Sequence, residues 1–304
     1  MLLIGAAGIA AAEFPMQAQE VAPGIHAVVT PVRDFPTPEN RGWNSNTVFV
    51  VTNAGVLQFD TGSSRAIGAG LREVVAGVTD RPVRWVVNSH AHGDHWLGNG
   101  AFAGEGVDFI ATQVVRDIIA NDGAEWVRRF ANLTDGATGE SAVVVPNVVV
   151  GEHERRDLGG VAVEFIGVGR SHSPGDMVAW LPESRVLLAA DVVYSDRLPA
   201  VFDADIRHWI ETLNRLEALE PLVVVPGHGE VSDVASIRLT REFLERLWGV
   251  VEEGQADGKT DFEILPEVRE RLADFRERYP DFDRNIGAAV SHAYLQVERA
   301  AFGG

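Results

Sequence analysis

The chain of 304 residues contains no cysteine. Disulfide bonds and thiolate metal ligands are therefore excluded, and any metal ion must be held by histidine and carboxylate side chains. Positive charge is also scarce, because 26 Lys and Arg residues stand against 44 Asp and Glu residues and leave a net charge of −18. This balance argues against nucleic acid and against a membrane surface as partners of the protein.

The N-terminus lacks basic residues, since the first Lys or Arg is Arg33. Residues 2–12 form an apolar run of mostly small residues that resembles the core and cleavage region of a signal peptide. Without a basic segment before it, this run is the remnant of a trimmed signal, part of a signal whose start lies upstream, or a short packing helix. We set residues 1–20 apart as a signal-peptide remnant or flexible N-terminus and expect a periplasmic or secreted protein, with the cytoplasm as the alternative. No other stretch approaches the length needed to cross a bilayer.

Short β-branched runs alternate along the chain with amphipathic helical stripes. The hydrophobic content of 46% is sufficient for a globular core. The predicted strands are residues 25–30, 47–52, 55–60, 84–88, 107–111, 143–150, 161–168, 177–181, 186–190 and 222–225. The predicted helices are residues 66–78, 206–219, 237–251 and 113–133, the last as one helix or as two that break near residues 121–123.

This order of elements predicts an α/β fold in which two β-sheets pack together with helices on the outer faces. Each half of the chain begins with strands and continues with helices, although no sequence repeat supports a duplication. We expect a catalytic domain over residues 21–255. Residues 256–304 are predicted to be appended helices that pack on this domain or on a partner subunit, as in a homodimer.

Histidine is concentrated in residues 89–96, Ser-His-Ala-His-Gly-Asp-His-Trp, directly after an apolar run. Residues two apart in an extended segment project to the same side, so His90 and His92 can converge on one metal ion. If the chain then turns into a helix, Asp94 and His95 can point together at a neighbouring position. So many polar groups behind a strand would be costly to bury without a cation. The spacing therefore predicts two adjacent metal ions rather than a solvated turn.

Three further candidates follow predicted strands and lie beside Gly or Pro: His172, Asp191 and His228. The carboxyl ends of strands are where open sheets collect their functional loops, so these side chains are predicted to join the metal site. The remaining histidines lack such a turn. We interpret His208 as structural, because it lies inside a predicted helix, and expect no functional role for His26, His153 and His292.

The order of these residues resembles the metallo-β-lactamase superfamily, over about residues 25–251. The resemblance implies an αββα sandwich of two mixed β-sheets, with the active site at one edge between the sheets. It also implies two zinc ions per chain, with Asp191 bridging them. The first zinc ion would be held by His90, His92 and His172, and the second by Asp94, His95 and His228. Asp60, in Phe-Asp-Thr-Gly, matches an early motif of the family whose Asp supports the ligands rather than binding metal.

Metal-assisted hydrolysis is the reaction that such a site implies. A pair of cations lowers the pKa of a bound water from about 15.7 toward about 7, which supplies hydroxide at neutral pH. Asp94 is expected to orient this hydroxide or to take its proton. We expect hydrolysis of a cyclic or activated amide or ester in a small-molecule substrate, with a β-lactam favoured. The alternatives are a lactonase or (thio)esterase, a mononuclear iron persulfide dioxygenase and, last, a non-catalytic metal-binding protein.

The loop of residues 31–46 bears on the choice of substrate. It carries Phe35 and Trp43 and occupies the place where many β-lactamases have a mobile substrate flap. Such a loop is otherwise inert surface. Both interpretations stay open on the sequence alone.

Residues 191–197 also bear on the substrate. Asp191 stands where the commonest lactamase subclass has Cys, and Tyr194 stands where that subclass has the Lys that binds the substrate carboxylate. Tyr194 also resembles a Tyr of acyl-homoserine lactonases that stabilises the attacked carbonyl, which implies a catalytic role, although it could equally pack beneath the flap. Arg197 is either a replacement anion anchor or a surface residue without such a role.

Overall fold

The computed structural model describes residues 15–31 and 34–301. The apolar run of residues 2–12 lies outside this described part, so its interpretation as a signal peptide, and the location inferred from it, stay predictions. Among the described residues, no helix is both long enough and apolar enough to cross a membrane.

The first β-sheet has seven strands in the order β1-β2-β3-β4-β5-β6-β7. Neighbouring strands are antiparallel from β1 to β4 and parallel from β4 to β7, so the sheet is mixed. The strands are β1 (Gln19–Ala22), β2 (Ile25–Val28), β3 (Thr47–Val51), β4 (Val56–Phe59), β5 (Val83–Val87), β6 (Asp108–Thr112) and β7 (Val148–Val150).

The second β-sheet has five strands in the order β12-β11-β10-β9-β8. It is also mixed, because β11 and β12 run parallel while the other neighbours are antiparallel. The strands are β8 (His153–Asp157), β9 (Ala162–Gly169), β10 (Asp176–Leu181), β11 (Val186–Tyr194) and β12 (Val223–His228). A short turn after residue 181 joins β10 to β11 as an antiparallel hairpin.

Helices cover the outer faces of both sheets. Several begin at a side chain that accepts a hydrogen bond from the first turn, which satisfies a free backbone N–H; these caps are Ser64, Thr112, Asp205 and Asp233. The helices are α1 (Arg65–Val78), α2 (Gly93–Trp96), α3 (Gln113–Leu133), α4 (Ile206–Glu217), α5 (Val234–Ala256), α6 (Asp261–Arg271) and α7 (Phe282–Ala301).

The alternation of side chains along β11 shows how the layers are built. Leu188 and Ala190 pack between the two sheets, whereas Leu187 and Ala189 pack against the outer helices. This period of two is expected for a strand covered on both faces. The predicted αββα sandwich of two mixed sheets is confirmed.

The structure decides between the alternatives for one predicted element and shortens another. Residues 113–133 form one continuous helix, the first of the two alternatives, and Gly123 lies against Val143 and Trp96, where a Cβ would approach to 2.7 and 3.2 Å. Gly123 is thus a site of close packing rather than a helix break. Of the predicted strand over residues 143–150, only Val148–Val150 is a strand. In the residues before Val148, a side chain rather than a neighbouring strand binds the backbone: the Pro146 carbonyl accepts from Nε of Arg116 at 3.1 Å.

Two strands were not predicted, because neither has a continuous apolar pattern. β8 is a charged edge strand of alternating exposure, and β1 begins inside the segment that we set apart as residues 1–20. The helices α5, α6 and α7 form one apolar layer with the outer face of the second sheet. Their predicted contact with a partner subunit stays a prediction.

Candidate metal centre

The predicted ligands meet at one edge of the sandwich, where strands of both sheets end. His90 follows β5, and His92 precedes the short helix α2, which carries Asp94 and His95. The second sheet contributes the remaining candidates: His172 follows β9, Asp191 lies in β11, and His228 ends β12. Asp191 was expected after its strand, but β11 continues through it to Tyr194, with positive φ at Ala190.

The side chains form two adjacent groups that could each hold a metal ion. One group contains four residues and the other three, and all of them are buried. Within each group, the candidate ligand atoms lie within 4.8 Å of one another. The first group is His90, His92, His172 and Asp191, and the second is Asp94, His95 and His228. These are the residues predicted as ligands.

Asp191 lies between the two groups. Its Oδ1 is 3.1 Å from Nε2 of His95, and its Oδ2 is 3.1 Å from Nε2 of His228 and 3.5 Å from Nε2 of His172. A carboxylate so placed can serve both metal positions. The backbone of the neighbouring strand comes close here, because a Cβ on Gly227 would lie 1.9 Å from Oδ1 of Asp191.

Several buried donor atoms of the site fit a cation. Nε2 of His90, Nε2 of His95 and Oδ1 of Asp191 make no well-formed hydrogen bond within the described part of the chain, although the last two lie 3.1 Å apart. Buried polar atoms without partners are costly, and here they converge on one small volume. A set of imidazole nitrogens and carboxylate oxygens is the donor set that zinc accepts in the absence of thiolates. The residues therefore fit the implied metal ions.

Burial and the neighbouring charges shift the pKa values of four of the predicted ligands, and the direction differs from one ligand to the next. Burial lowers the pKa of His172 to about 3 and the pKa of His90 well below its usual value, so both imidazoles are neutral and offer a lone pair. Burial raises the pKa of Asp191, but the nearby His228 and His95 outweigh it and hold that pKa well below its usual value. For His95, burial is likewise outweighed by the carboxylates around it, which raise its pKa well above the usual value.

Asp60 orients two of the imidazoles from the side that faces away from the metal position, one directly and one through Ser89. Its Oδ2 lies 2.8 Å from Nδ1 of His95 and accepts from the hydroxyl of Ser89 at 2.7 Å, while Oδ1 accepts from the Ser89 amide at 2.8 Å. The Ser89 hydroxyl is in turn 3.0 Å from Nδ1 of His90. With Nδ1 of each ring engaged, Nε2 faces the metal position. Asp60 lies where the resemblance implied a supporting Asp.

Asp60→Asn is expected to weaken zinc binding by roughly 10- to 100-fold, the usual effect of losing a partner that orients a ligand histidine. The amide still accepts from the Ser89 N–H, but it presents an N–H to Nδ1 of His95. Competition with a chromogenic chelator measures the affinity, and Asp157→Asn in β8 serves as the matched control. Equal zinc affinity in Asp60→Asn and the wild type would remove this role from Asp60.

The loop of residues 31–46 is fastened to the site at its C-terminal end. Asn44 donates through Nδ2 to Oδ2 of Asp94 at 2.9 Å, and its carbonyl accepts from Nδ1 of His228 at 2.7 Å. Asn46 donates to the carbonyls of Pro226 and Gly229. Trp43, one of the two aromatic residues offered for a flap, is buried. This half of the loop is therefore structural.

Phe35, at the other end of the loop, is 41% exposed and lines a cavity that opens onto the metal-binding residues. The wall of the cavity is largely apolar: Phe35, Pro36, Trp126, Phe130, Leu133, Ala200 and Phe202. His92, Asp94, His172, Asp191 and His228 line its floor, together with Tyr194. A substrate in this cavity would therefore contact the predicted ligands directly.

Tyr194 and Arg197 are both buried and both line this cavity. The Tyr194 hydroxyl donates to Oδ2 of Asp191 at 2.7 Å. Arg197 is only 3% exposed, so its interpretation as a surface residue is wrong. Its guanidinium lies over the ring of Phe35, with Cζ 4.6 Å from the ring centre, and Nη1 is 2.8 Å from Nδ1 of His228.

Sequence reasoning missed three residues that contact the ligands. Oδ2 of Asp203 lies 3.0 Å from Nε2 of His92, and the carbonyl of Ala200 accepts from Nδ1 of His172 at 3.0 Å. Asn44 is the third. No sequence signal marks Asp203 or Ala200, because both act from an irregular loop. Asn44 lies in an Asn-Ser-Asn triplet, a composition that favours side-chain bonds to the backbone.

The other histidines lie outside both donor groups. His208 is structural as predicted, since its Nε2 donates to the carbonyl of Val168 at 2.8 Å. His26 stacks on Phe49, and His153 pairs with Glu164 at the surface. His292 lies near Phe202, with ring centres 6.5 Å apart.

The order and spacing of the ligands match a known family. The sequence profile of the metallo-beta-lactamase superfamily matches residues 40–228. The chain belongs to this superfamily. Its members are metal-dependent hydrolases, and the chain is assigned to that class of enzyme.

Characterised relatives fall into more than one group. A metallo-beta-lactamase from Chryseobacterium indologenes is 24% identical over 209 residues, which cover 67% of this chain and 80% of that protein. A linear primary-alkylsulfatase from Pseudomonas sp. is 24% identical over 294 residues, which cover 82% of this chain but 54% of the sulfatase. The chain thus spans about half the length of the sulfatase. The solved structure of a metallo-beta-lactamase from Pontibacter korlensis shares the fold, with a TM-score of 0.62 and 21% identity over 76% of this chain and 99% of that one.

Proposed function

We propose that the protein is a dinuclear zinc hydrolase that opens a cyclic or activated amide or ester in a small molecule, with a β-lactam as the favoured substrate. The observation that carries the proposal is the pair of buried donor groups joined by Asp191 beneath a cavity. His90, His92 and His172 would hold one ion, and Asp94, His95 and His228 the other, with Asp191 between them.

Two zinc ions bound there would polarise the bond to be cleaved and supply a nucleophile at neutral pH. The residues of the chain hold this reaction in place. Asp94 lines the cavity, and the Asn44 amide fixes its Oδ2, so its carboxylate is positioned to take a proton from the attacking water. A substrate that fills the cavity would displace water from its apolar wall, which would strengthen each electrostatic interaction within the site.

The surroundings of Arg197 favour a substrate that carries an anionic group. The Nδ1 of His228 donates to the Asn44 carbonyl at 2.7 Å, so it has no lone pair left to accept from Arg197. The guanidinium forms no ion pair with any described residue, although it is buried at the cavity. The Asp94 carboxylate acts on this cation through space without forming an ion pair, so an anionic substrate group would supply the charge-assisted hydrogen bonds that the guanidinium lacks. We infer that Arg197 binds the carboxylate of the substrate.

A sulfate ester is a second candidate substrate. The alkylsulfatase relative matches more of this chain than the β-lactamase relative does, 82% against 67%. An alkyl sulfate also has an anionic group beside an apolar chain, which suits Arg197 and the aromatic wall of the cavity. Both candidates place a negative charge near the bond that breaks.

A substrate panel separates these candidates. Purified protein is assayed with a chromogenic cephalosporin, an alkyl sulfate, a lactone and a thioester, with and without a chelator. The proposal predicts chelator-sensitive hydrolysis, fastest with the cephalosporin. Faster turnover of the alkyl sulfate would favour the second candidate, and no hydrolysis of any amide or ester would contradict the proposed function.

Tyr194→Phe is expected to lower kcat roughly 10- to 100-fold without loss of zinc, because a hydrogen bond to a charged group contributes about 1.5–3 kcal/mol. The lost bond is the one that fixes Asp191. Steady-state kinetics and metal analysis are compared with those of Tyr279→Phe, a buried tyrosine of the helical layer. Unchanged turnover in Tyr194→Phe would reduce Tyr194 to a packing residue.

A further inference from the structure

The loop of residues 195–205, between β11 and α4, contacts the predicted ligands from outside the metal centre. The carbonyl of Ala200 accepts from Nδ1 of His172, and Oδ2 of Asp203 lies beside Nε2 of His92, both at 3.0 Å. An imidazole has two nitrogens, so engaging the outer one as N–H leaves the inner one as a lone pair toward the metal. We name residues 195–205 the orienting loop.

The inner nitrogens of these two rings face each other across the metal position. Nε2 of His172 and Nδ1 of His92 are 2.9 Å apart. The ring of Phe202 stacks on His92, with centres 5.1 Å apart and planes 28° apart. The orienting loop therefore contacts the edge of the His92 ring through Asp203 and the face of the ring through Phe202. Displacement of the loop would change the direction of two lone pairs together.

The orienting loop is itself irregular and is fastened to the C-terminal helices. The Leu198 amide donates to Oδ1 of Asp281 at 2.8 Å, and this bond is buried. At the end of the loop, the amide of Ile206 donates to Oε1 of Gln296 at 2.9 Å. Asp281 directly precedes α7, and Gln296 lies within it.

The hydrogen bond to Asp281 sets the position of the orienting loop along the helix surface, which apolar packing does not determine. Leu198 and Val201 pack in the same apolar layer as α7, which holds the loop against the helix. Apolar contact is not directional, so it does not set the position of the loop along the helix surface. The hydrogen bond to Asp281 does, because it weakens steeply when its distance or angle changes.

We propose that Asp281 is a positioning residue of the metal centre, which acts through the orienting loop on His172 and His92. This inference rests on the proposed metal centre. Asp281 is buried, and both carboxylate oxygens are engaged, since Oδ2 accepts from Nδ2 of Asn285 at 2.7 Å. The match to the superfamily ends at residue 228, so Asp281 belongs to a part of the chain beyond the matched region.

Zinc affinity and thermal unfolding of full-length variants test the inference. Asp281→Ala removes the acceptor for the Leu198 amide and is expected to weaken the first zinc site by roughly 10- to 100-fold, in line with the loss of outer contacts to ligand histidines. Asp281→Asn keeps an acceptor at Oδ1, and Asn285 can rotate its amide to meet the new N–H. Its zinc affinity is expected to stay near that of the wild type.

A matched control separates positioning from stability. Ser291→Ala removes the bond from α7 to Asp261 in α6, at 2.5 Å, without touching the orienting loop. It is expected to lower the Tm of the metal-free protein but to leave zinc affinity unchanged. If Asp281→Ala does not fold, Gln296→Ala loosens the other end of the loop and is expected to weaken zinc binding in the same direction.

The outcomes distinguish this inference from the proposed function. A wild-type protein that binds no zinc would contradict the metal centre and, with it, the inference. Wild-type zinc affinity in a folded Asp281→Ala protein of lowered Tm would overturn the inference alone, because Asp281 would then be only structural. Equal weakening in Asp281→Ala and Ser291→Ala would also overturn it.

Discussion

Asp191→Asn is expected to lower kcat/KM by roughly 10³-fold or more, a loss typical of replacing one member of a catalytic unit. Asn is nearly the same size as Asp, so the fold should be kept. It removes the negative charge between the two donor groups, however, and turns one oxygen into an N–H donor that points at a metal position. Since Asp191 contacts ligands of both groups, we expect the zinc content to fall to one ion or fewer per chain.

The control for this variant is Asp108→Asn, which changes a carboxylate on β6 outside both donor groups. It is expected to keep its zinc and its turnover. Kinetics and metal analysis of the same preparations test both statements. Full zinc content and wild-type turnover in Asp191→Asn would show that Asp191 does not bridge the metal positions.

Arg197→Met is expected to lower kcat/KM for an anionic substrate by roughly 30-fold or more, because truncating one partner of a buried charge pair costs about 2–5 kcal/mol. Met keeps the apolar volume beside Phe35 but removes the cation. Zinc content should not change, because a guanidinium offers no lone pair to a metal ion and the Asn44 carbonyl, not Arg197, holds Nδ1 of His228. A neutral ester or lactone should be hydrolysed about as well as before, which isolates the contribution of the substrate charge.

Arg129→Met is the matched control for Arg197→Met. Arg129 also lines the cavity, but it is exposed and lies over the ring of Trp126, with Cζ 5.1 Å from the ring centre. A solvated cation contributes little to binding, so only a small change is expected. If both variants lose the same activity, or if Arg197→Met affects neutral and anionic substrates alike, Arg197 does not bind the anionic group.

The juxtaposition of the candidate metal ligands could be predicted from the sequence because their spacing has direct geometric consequences. His90 and His92 are two apart before a helix that carries Asp94 and His95, and their rings lie with centres 4.8 Å apart. His172 and His228 come at or after strand ends. Such local rules depend on few neighbouring residues, and the two-sheet sandwich likewise follows from the order of elements.

Other features depend on contacts between residues distant in the chain. Asp203 meets His92 across 111 positions, and Asp281 meets Leu198 across 83. Neither has a local pattern that distinguishes it from a surface Asp. Whether the helix breaks near Gly123 was left open, because the residues that pack against Gly123, Val143 and Trp96, are not its neighbours in sequence. The role of Arg197 was left open for the same reason, since only the folded chain shows that this residue is buried.

The zinc stoichiometry of the purified protein tests the central claim most directly. Metal-free protein is prepared with a chelator, titrated with zinc and assayed for hydrolysis of the chromogenic cephalosporin at each point. The two adjacent donor groups predict that two zinc ions bind per chain and that hydrolysis returns as they bind. A protein that holds a single iron ion, or that binds two zinc ions without hydrolysing any amide or ester, would contradict the account.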